Sequence, residues 1–144
     1  MLRIEAGLPL YGNEIDETIS PVEAGLMRWV SLSKGNFIGR EAIVERAECG
    51  PEKRLIGLTM EGRSVPRRGN AVKSSAGDGI VSSGTFSPTL GRGIAMVYIT
   101  PRAVEGTPVE LVGHAGVSPG VLCRLPFYDP RAPGRAVAGG ESVS

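Results

Sequence analysis

The chain has 144 residues, enough for one ordinary domain or for a small domain with part of another, and its 41% hydrophobic content lets most of it bury a core. Sixteen basic and 15 acidic side chains leave a net charge of +1, which supplies no electrostatic case for a nucleic-acid or anionic-membrane partner. No apolar run approaches the roughly 18 residues of a membrane span, and Met1-Leu2-Arg3-Ile4-Glu5 has no signal-peptide character, so a cytoplasmic protein is expected.

Residues 1 to 12 alternate, with Leu2, Ile4, Ala6, Leu8 and Leu10 set against Arg3, Glu5, Gly7 and Pro9. A strand would alternate so, but Gly7 and Pro9 fit a helix end running into an extended turn equally well. Ser20-Pro21-Val22-Glu23 is clearer. Serine caps, proline suits the first helical position and glutamate three residues on closes a capping box, which predicts a short helix from Pro21 to about Met27. Trp29-Val30-Ser31-Leu32 reads as a brief extended stretch. After Gly39, Ala42, Ile43, Arg46 and Ala47 recur at helical spacing until Gly50-Pro51 stops them.

From Pro51 the texture changes, and a domain boundary is placed there. Residues 54–60, 70–73, 79–85, 94–99, 108–112 and 117–125 are short β-prone runs separated by glycine and proline turns. Six such runs without a convincing helix predict a small closed barrel or jelly-roll-like sandwich over residues 52–127. Residues 128–144 lack an apolar period and are expected to be a disordered tail. Residues 1–50 hold two short helices and no sheet of their own. The expected class is therefore an α+β fragment followed by an all-β domain.

Cys49 and Cys123 are the only cysteines, far apart and outside any CxxC, so two reduced thiols are expected. His114, the only histidine, falls in the hairpin-like turn Gly113-His114-Ala115-Gly116. A zinc site and a histidine-based nucleophile both lack their residues.

Five ordered blocks carry a resemblance. "LRIEAGLPLYGNEID", "SPVEAGL", "SKGNFIGREAI", "GLTMEGRSVPRRG" and "SSGTFSPTLGRGIAMVYI", followed by "LPF", resemble the C-terminal part of the glycine cleavage system T protein family, the folate-dependent aminomethyltransferases. The likeness covers roughly residues 2–127. The first three blocks also recur in the folate-binding halves of dimethylglycine and sarcosine oxidoreductases, whereas "SGTFSPTLG" points more narrowly to the T protein.

The resemblance implies two related α/β subdomains around a folate cleft, closed by a C-terminal β-barrel. Residues 1–50 would then be the end of the folate-binding subdomain, and residues 52–127 a six-stranded barrel. It implies a bacterial, cytoplasmic enzyme that transfers the one-carbon unit from the aminomethyl-lipoyl arm of H protein to tetrahydrofolate and releases ammonia. H protein and folate are the implied partners, with no metal, nucleic acid or membrane. The family's aspartate and a folate-binding arginine lie upstream of Met1 and of the block at Leu2. No catalytic residue is therefore expected within this chain, which is expected to be a fragment or to start at an internal methionine, and to be inactive alone.

The candidate cofactor-binding residues are Tyr11, Glu5, Trp29, Arg63 and Tyr128. Tyr11 and Glu5 fall in the block that borders the family's folate cleft. Tyr11 either offers a flat face and hydroxyl to the ligand or packs between subdomains, and Glu5 either walls the pocket or pairs with a nearby arginine. Glu23 is read as a capping-box carboxylate, and Trp29 either lines the cleft or packs in a core. Arg63, Arg67 and Arg68 make a basic loop, either a solvated hairpin tip or a patch for the folate tail or H protein. Gly84-Thr85-Phe86-Ser87-Pro88-Thr89 lacks the lysine of a phosphate loop and reads as a turn that brings amides and hydroxyls to the subdomain junction. Tyr128 and Arg131 lie where some family members bring an aromatic or basic residue over the folate.

Two alternatives stand beside the transferase. One is the tail of a folate-binding dimethylglycine or sarcosine oxidoreductase. The other is a non-catalytic folate-fold or partner-binding module. Folate-fold relatives that assist iron–sulfur assembly carry a cysteine that aligns with Asn36 of Lys34-Gly35-Asn36-Phe37, and asparagine removes that thiol.

Overall fold

The computed structural model describes residues 2–129 and 131, so most of the expected disordered tail lies outside the described residues. The first helix, α1 (Leu2–Glu5), is a single turn. Gly7 takes φ 66°, the Leu8 N–H donates to the Arg3 carbonyl at 2.9 Å, and the Gly7 N–H donates to Ile4 at 2.9 Å. This crossed pair is a Schellman ending that satisfies the helix's orphan carbonyls. The opening alternation is thus a helix end and not a strand.

The same device shortens the second predicted helix. The capping box forms: Glu23 Oε2 accepts the Ser20 N–H at 2.9 Å, and Ser20 Oγ accepts the Glu23 N–H at 3.3 Å. Gly25, at φ 68°, then ends the turn, with the Leu26 N–H donating to Pro21 at 2.9 Å and the Gly25 N–H to Val22 at 3.4 Å. One helical turn, followed by a 3-10 turn at Met27–Trp29, replaces the helix expected to reach Met27. A second 3-10 turn follows at Leu32–Lys34, so only Val30 and Ser31 remain of the expected extended stretch. The next helix, α2 (Arg40–Cys49), forms where its periodicity predicted and buries no residue.

Six strands follow: β1 (Arg54–Met60), β2 (Ala71–Lys73), β3 (Gly79–Ser87), β4 (Arg92–Ile99), β5 (Pro108–Gly113) and β6 (Gly116–Cys123). They close in the order β1-β4-β3-β2-β5-β6, every pair antiparallel. The sandwich expected as the alternative is excluded by the β1–β6 ladder, which leaves no free edge.

Period-two alternation sends one side chain in and the next out. Ile56, Leu58 and Met60 of β1 meet Ala95, Val97 and Ile99 of β4 inside the barrel, with Val72, Val81, Val109, Leu111 and Leu122. The outward set of β4 is not wet either. Ile94 and Met96 form a second cluster with Cys123, Phe127 and Ile4 of α1. One strand therefore serves two cores, and the N-terminal segment covers the second. Gly57 makes room for it, because a Cβ there would lie 2.8 Å from Cys123 Sγ and 3.0 Å from the Phe127 ring.

Candidate functional site

Between Leu8 and Asp16 the chain makes a strap across the outside of the barrel. Glu14 anchors it, with a side chain wholly out of solvent. Its Oε2 accepts from Arg3 Nη1 at 3.1 Å and from the Leu10 N–H at 2.9 Å, while Ser82 Oγ lies 2.9 Å from its Oε1. The Tyr98 hydroxyl donates to the Glu14 carbonyl at 2.6 Å. Arg3 Nη2 also donates to Ser83 Oγ at 2.8 Å, which takes Asn13 Nδ2 at 3.1 Å as well. These serines reach outward because the β3–β4 register shifts between Val81 and Ser83. Burial, then the carboxylates of Glu14, Glu23 and Asp16, push the Tyr98 phenol above its ordinary range. The strap's outer side is clamped by Arg68, whose Nη1 and Nη2 donate to Asn13 Oδ1 and the Gly12 carbonyl, each at 2.9 Å.

The five candidate residues are not gathered in one place. Tyr11 rides on the strap and is 66% exposed. Glu5 is buried, its carboxylate accepting from the Ser87 hydroxyl, and no arginine pairs with it among the described residues. The Glu5 carbonyl accepts the Tyr128 N–H at 3.1 Å, which brings those two segments together. Arg63 is exposed on the loop between β1 and β2. That loop is no free hairpin tip. Ser64 to Pro66 lie against Gly93 and Gly84, where a Cβ would fall 2.0 Å from the Ser64 carbonyl oxygen and 2.4 Å from that of Pro66. Trp29 stands apart with Leu8 and Pro9 in a cleft of about 640 Å3 at one end of the barrel, which none of the other four candidates lines.

Glu14, Arg3, Ser82 and Ser83 were not among the sequence candidates. In "YGNEID" the buried glutamate looks like its exposed neighbours, and the strand bulge that aims the serines leaves no local signal. Ser87 is nearer to reach, since its block predicts hydroxyls at the subdomain junction, although it stands at the end of β3 and not in a turn. Among the described residues no three His, Cys, Asp or Glu side chains group as a metal site requires. No helix there is long and apolar enough to cross a membrane.

The barrel fits a known family. A family model described as the glycine cleavage T-protein C-terminal barrel domain matches residues 53–129. The chain belongs to that family. Curated relatives extend the similarity upstream. An aminomethyltransferase of Moorella thermoacetica is 44% identical over 129 residues, covering 88% of this chain and 35% of its own length. One of Streptomyces coelicolor is 46% identical over 136 residues, covering 88% and 36%. The crystal structure of glycine cleavage system aminomethyltransferase T from Bartonella henselae superposes with a TM-score of 0.80 at 32% identity, over 88% of this chain and 37% of that one. The chain thus spans about a third of the length of these relatives.

Proposed function

We propose that this chain is the C-terminal third of a tetrahydrofolate-dependent aminomethyltransferase, which passes the one-carbon unit of an aminomethyl-lipoyl H protein to tetrahydrofolate with release of ammonia. The observation that carries this reading is the 44–46% identity to aminomethyltransferases across 88% of the chain, strap and barrel together. In the proposed assembly, residues 2–50 complete a folate-binding subdomain and the barrel from residue 52 closes it.

Tyr11 would supply one wall. Its ring is free to stack on a flat ligand, and the buried Glu14 network keeps the strap beneath it from yielding. Glu5 acts at one remove in this reading. Its carboxylate is spent on Ser87, so it ties the strap's root to β3 while its carbonyl steers Tyr128. Arg63, uncompensated by any carboxylate among the described residues, suits the anionic tail of a folate or an acidic face of H protein. The proton-moving carboxylate would come from the upstream two-thirds.

The test measures ammonia release from aminomethyl-loaded H protein with tetrahydrofolate, comparing this chain with a version extended upstream by the relatives' missing part. Positioning inside a closed cleft is worth roughly 7–11 kcal/mol of barrier, so the short chain should show no turnover above background. Turnover within about tenfold of the extended protein, a barrier difference of only about 1.4 kcal/mol, would place the catalytic groups inside residues 1–144 and overturn the assignment.

A further inference from the structure

The cleft at the barrel end is built from the turn after α1, the Ala24–Gly25 turn leading to Trp29, the start of β1 and the segments around Val104 and Leu125. Arg54, the first residue of β1, crosses this end. Its Nη2 donates to the Ala103 carbonyl at 2.8 Å, whereas its Nε is shielded from solvent and has no acceptor. A buried donor on a charged group is costly to leave unmet. Beside it, the Arg28 guanidinium stands over the Trp29 ring at 5.1 Å, and Trp29 is 75% exposed. Arg124 spends its charge on Glu105 at 3.3 Å. Asp129 is the opposing charge at the rim, where its Oδ1 accepts the Arg131 N–H at 2.9 Å. The positive charge that remains comes from Arg28 and Arg54.

We propose that this cleft binds an organic carboxylate with a flat apolar body. The inference goes beyond aminomethyl transfer: of the five folate candidates only Trp29 lines the cleft, whereas Glu5, Tyr11, Arg63 and Tyr128 do not. The carboxylate bridges Nε and Nη2 of Arg54, the two donors on one edge of the planar guanidinium, with the second Nη2 proton kept on Ala103, after a small turn of the guanidinium about that bond uncovers Nε. The flat body lies between the Trp29 ring and the apolar wall of Leu8, Leu55 and Leu125. A volume of about 640 Å3 falls in the usual range of small-molecule sites, roughly 300–1,000 Å3. Two unspent guanidiniums facing one rim carboxylate suit a singly charged acid better than a dianionic phosphate.

Trp29 is the only tryptophan, so its fluorescence reports the cleft directly. The experiment titrates the 144-residue chain with benzoate, benzamide and phenyl phosphate. Benzoate should give a saturable change, with benzamide and the Arg54→Met variant each about tenfold weaker or more. Arg28→Ala, at an exposed position, should weaken benzoate several-fold without moving the melting temperature. Arg54→Lys keeps the charge but not the fork and should bind like Arg54→Met, which decides the matter if the methionine variant does not fold. No saturable signal up to about 10 mM benzoate, a limit near the weakest specific affinities, overturns the proposal. So does equal binding of benzoate and benzamide, or full affinity in Arg54→Lys together with Arg28→Ala. Tighter binding of phenyl phosphate than benzoate overturns the carboxylate assignment.

Discussion

Glu14 keeps a full charge away from water because three donors replace its hydration shell. Replacing it by glutamine keeps the volume, leaves the Arg3 guanidinium without its counter-charge and puts an amide nitrogen where a donor was satisfied. Glu14→Gln should cost about 2 kcal/mol in urea unfolding, less than the roughly 3–5 kcal/mol of a fully buried pair, since the Arg3 side chain is 27% exposed. A loss under about 0.5 kcal/mol would mean that the pair adds nothing beyond a surface contact. The two thiols should separate equally sharply. Burial, and then the charge of Glu105, push Cys123 up to about 12 from 9.0, while Cys49 is exposed at the end of α2. A thiol reagent at neutral pH should label Cys49 alone in the native chain. The sign of the pH effect follows. Above pH 9.0 the unfolded thiol loses its proton and the folded one keeps it, so stability is full below that and falls as pH rises toward about 12. Tyr98, raised by burial first, adds a loss of the same sign above its ordinary 10.0. Urea midpoints that stay flat from pH 8 to 11 would contradict both assignments.

At the scale of elements, the loop between β1 and β2 shows how missing side chains fix a path. Gly84 and Gly93 sit on neighbouring strands and together make a smooth floor, on which the Ser64–Pro66 backbone rests. Gly93→Ala would drive a methyl into the Ser64 carbonyl at 2.0 Å, so either the loop lifts or β4 bends. It should cost about 2 kcal/mol or more. Gly62→Ala in the same loop is the control. Its φ of 78° is strained for alanine, but nothing lies within 4 Å, so the cost is about 1 kcal/mol. Thermal melts that rank the two the other way round would show that the loop floats free of the sheet. The short helical turns obey the same logic, since Gly7 and Gly25 end them at the first position where a left-handed residue is available.

The whole molecule is a barrel with an internal core and a second, outer one that exists only because α1 and Phe127 lie on β4. Residues 52–127 retain the internal core and all six strands, and we expect that piece to melt cooperatively as an all-β unit. Its midpoint should lie below that of the full chain. Ile94 and Met96 lose the Ile4 cover, and Ser82, Ser83 and Ser87 lose Glu14, Arg3 and Glu5. Random-coil circular dichroism from this piece would mean that the N-terminal segment is part of the folding unit and that the boundary at Pro51 is only a change of texture.

The strands were legible because a closed antiparallel barrel writes itself locally: residues such as Ile56, Leu58 and Met60 must face in at every second position, and turns must carry glycine or proline. The capping box at Ser20 was legible for the same reason, since both partners lie three residues apart. Family membership was legible from ordered blocks, and the match over residues 53–129 bears it out. The site was not. Which of the acids near the start of the chain is buried depends on a strand bulge about seventy residues away, and the partners of Glu14 and Glu5 are separated from them in sequence by 68 and 82 positions. Only closure of the barrel, which turns β3 outward beneath the strap, decides that Glu14 is an anchor, that Glu5 is spent on Ser87 and that Tyr11 is left free. A chain can specify its own periodicity residue by residue, but a buried charge is placed by whatever distant donors fold against it.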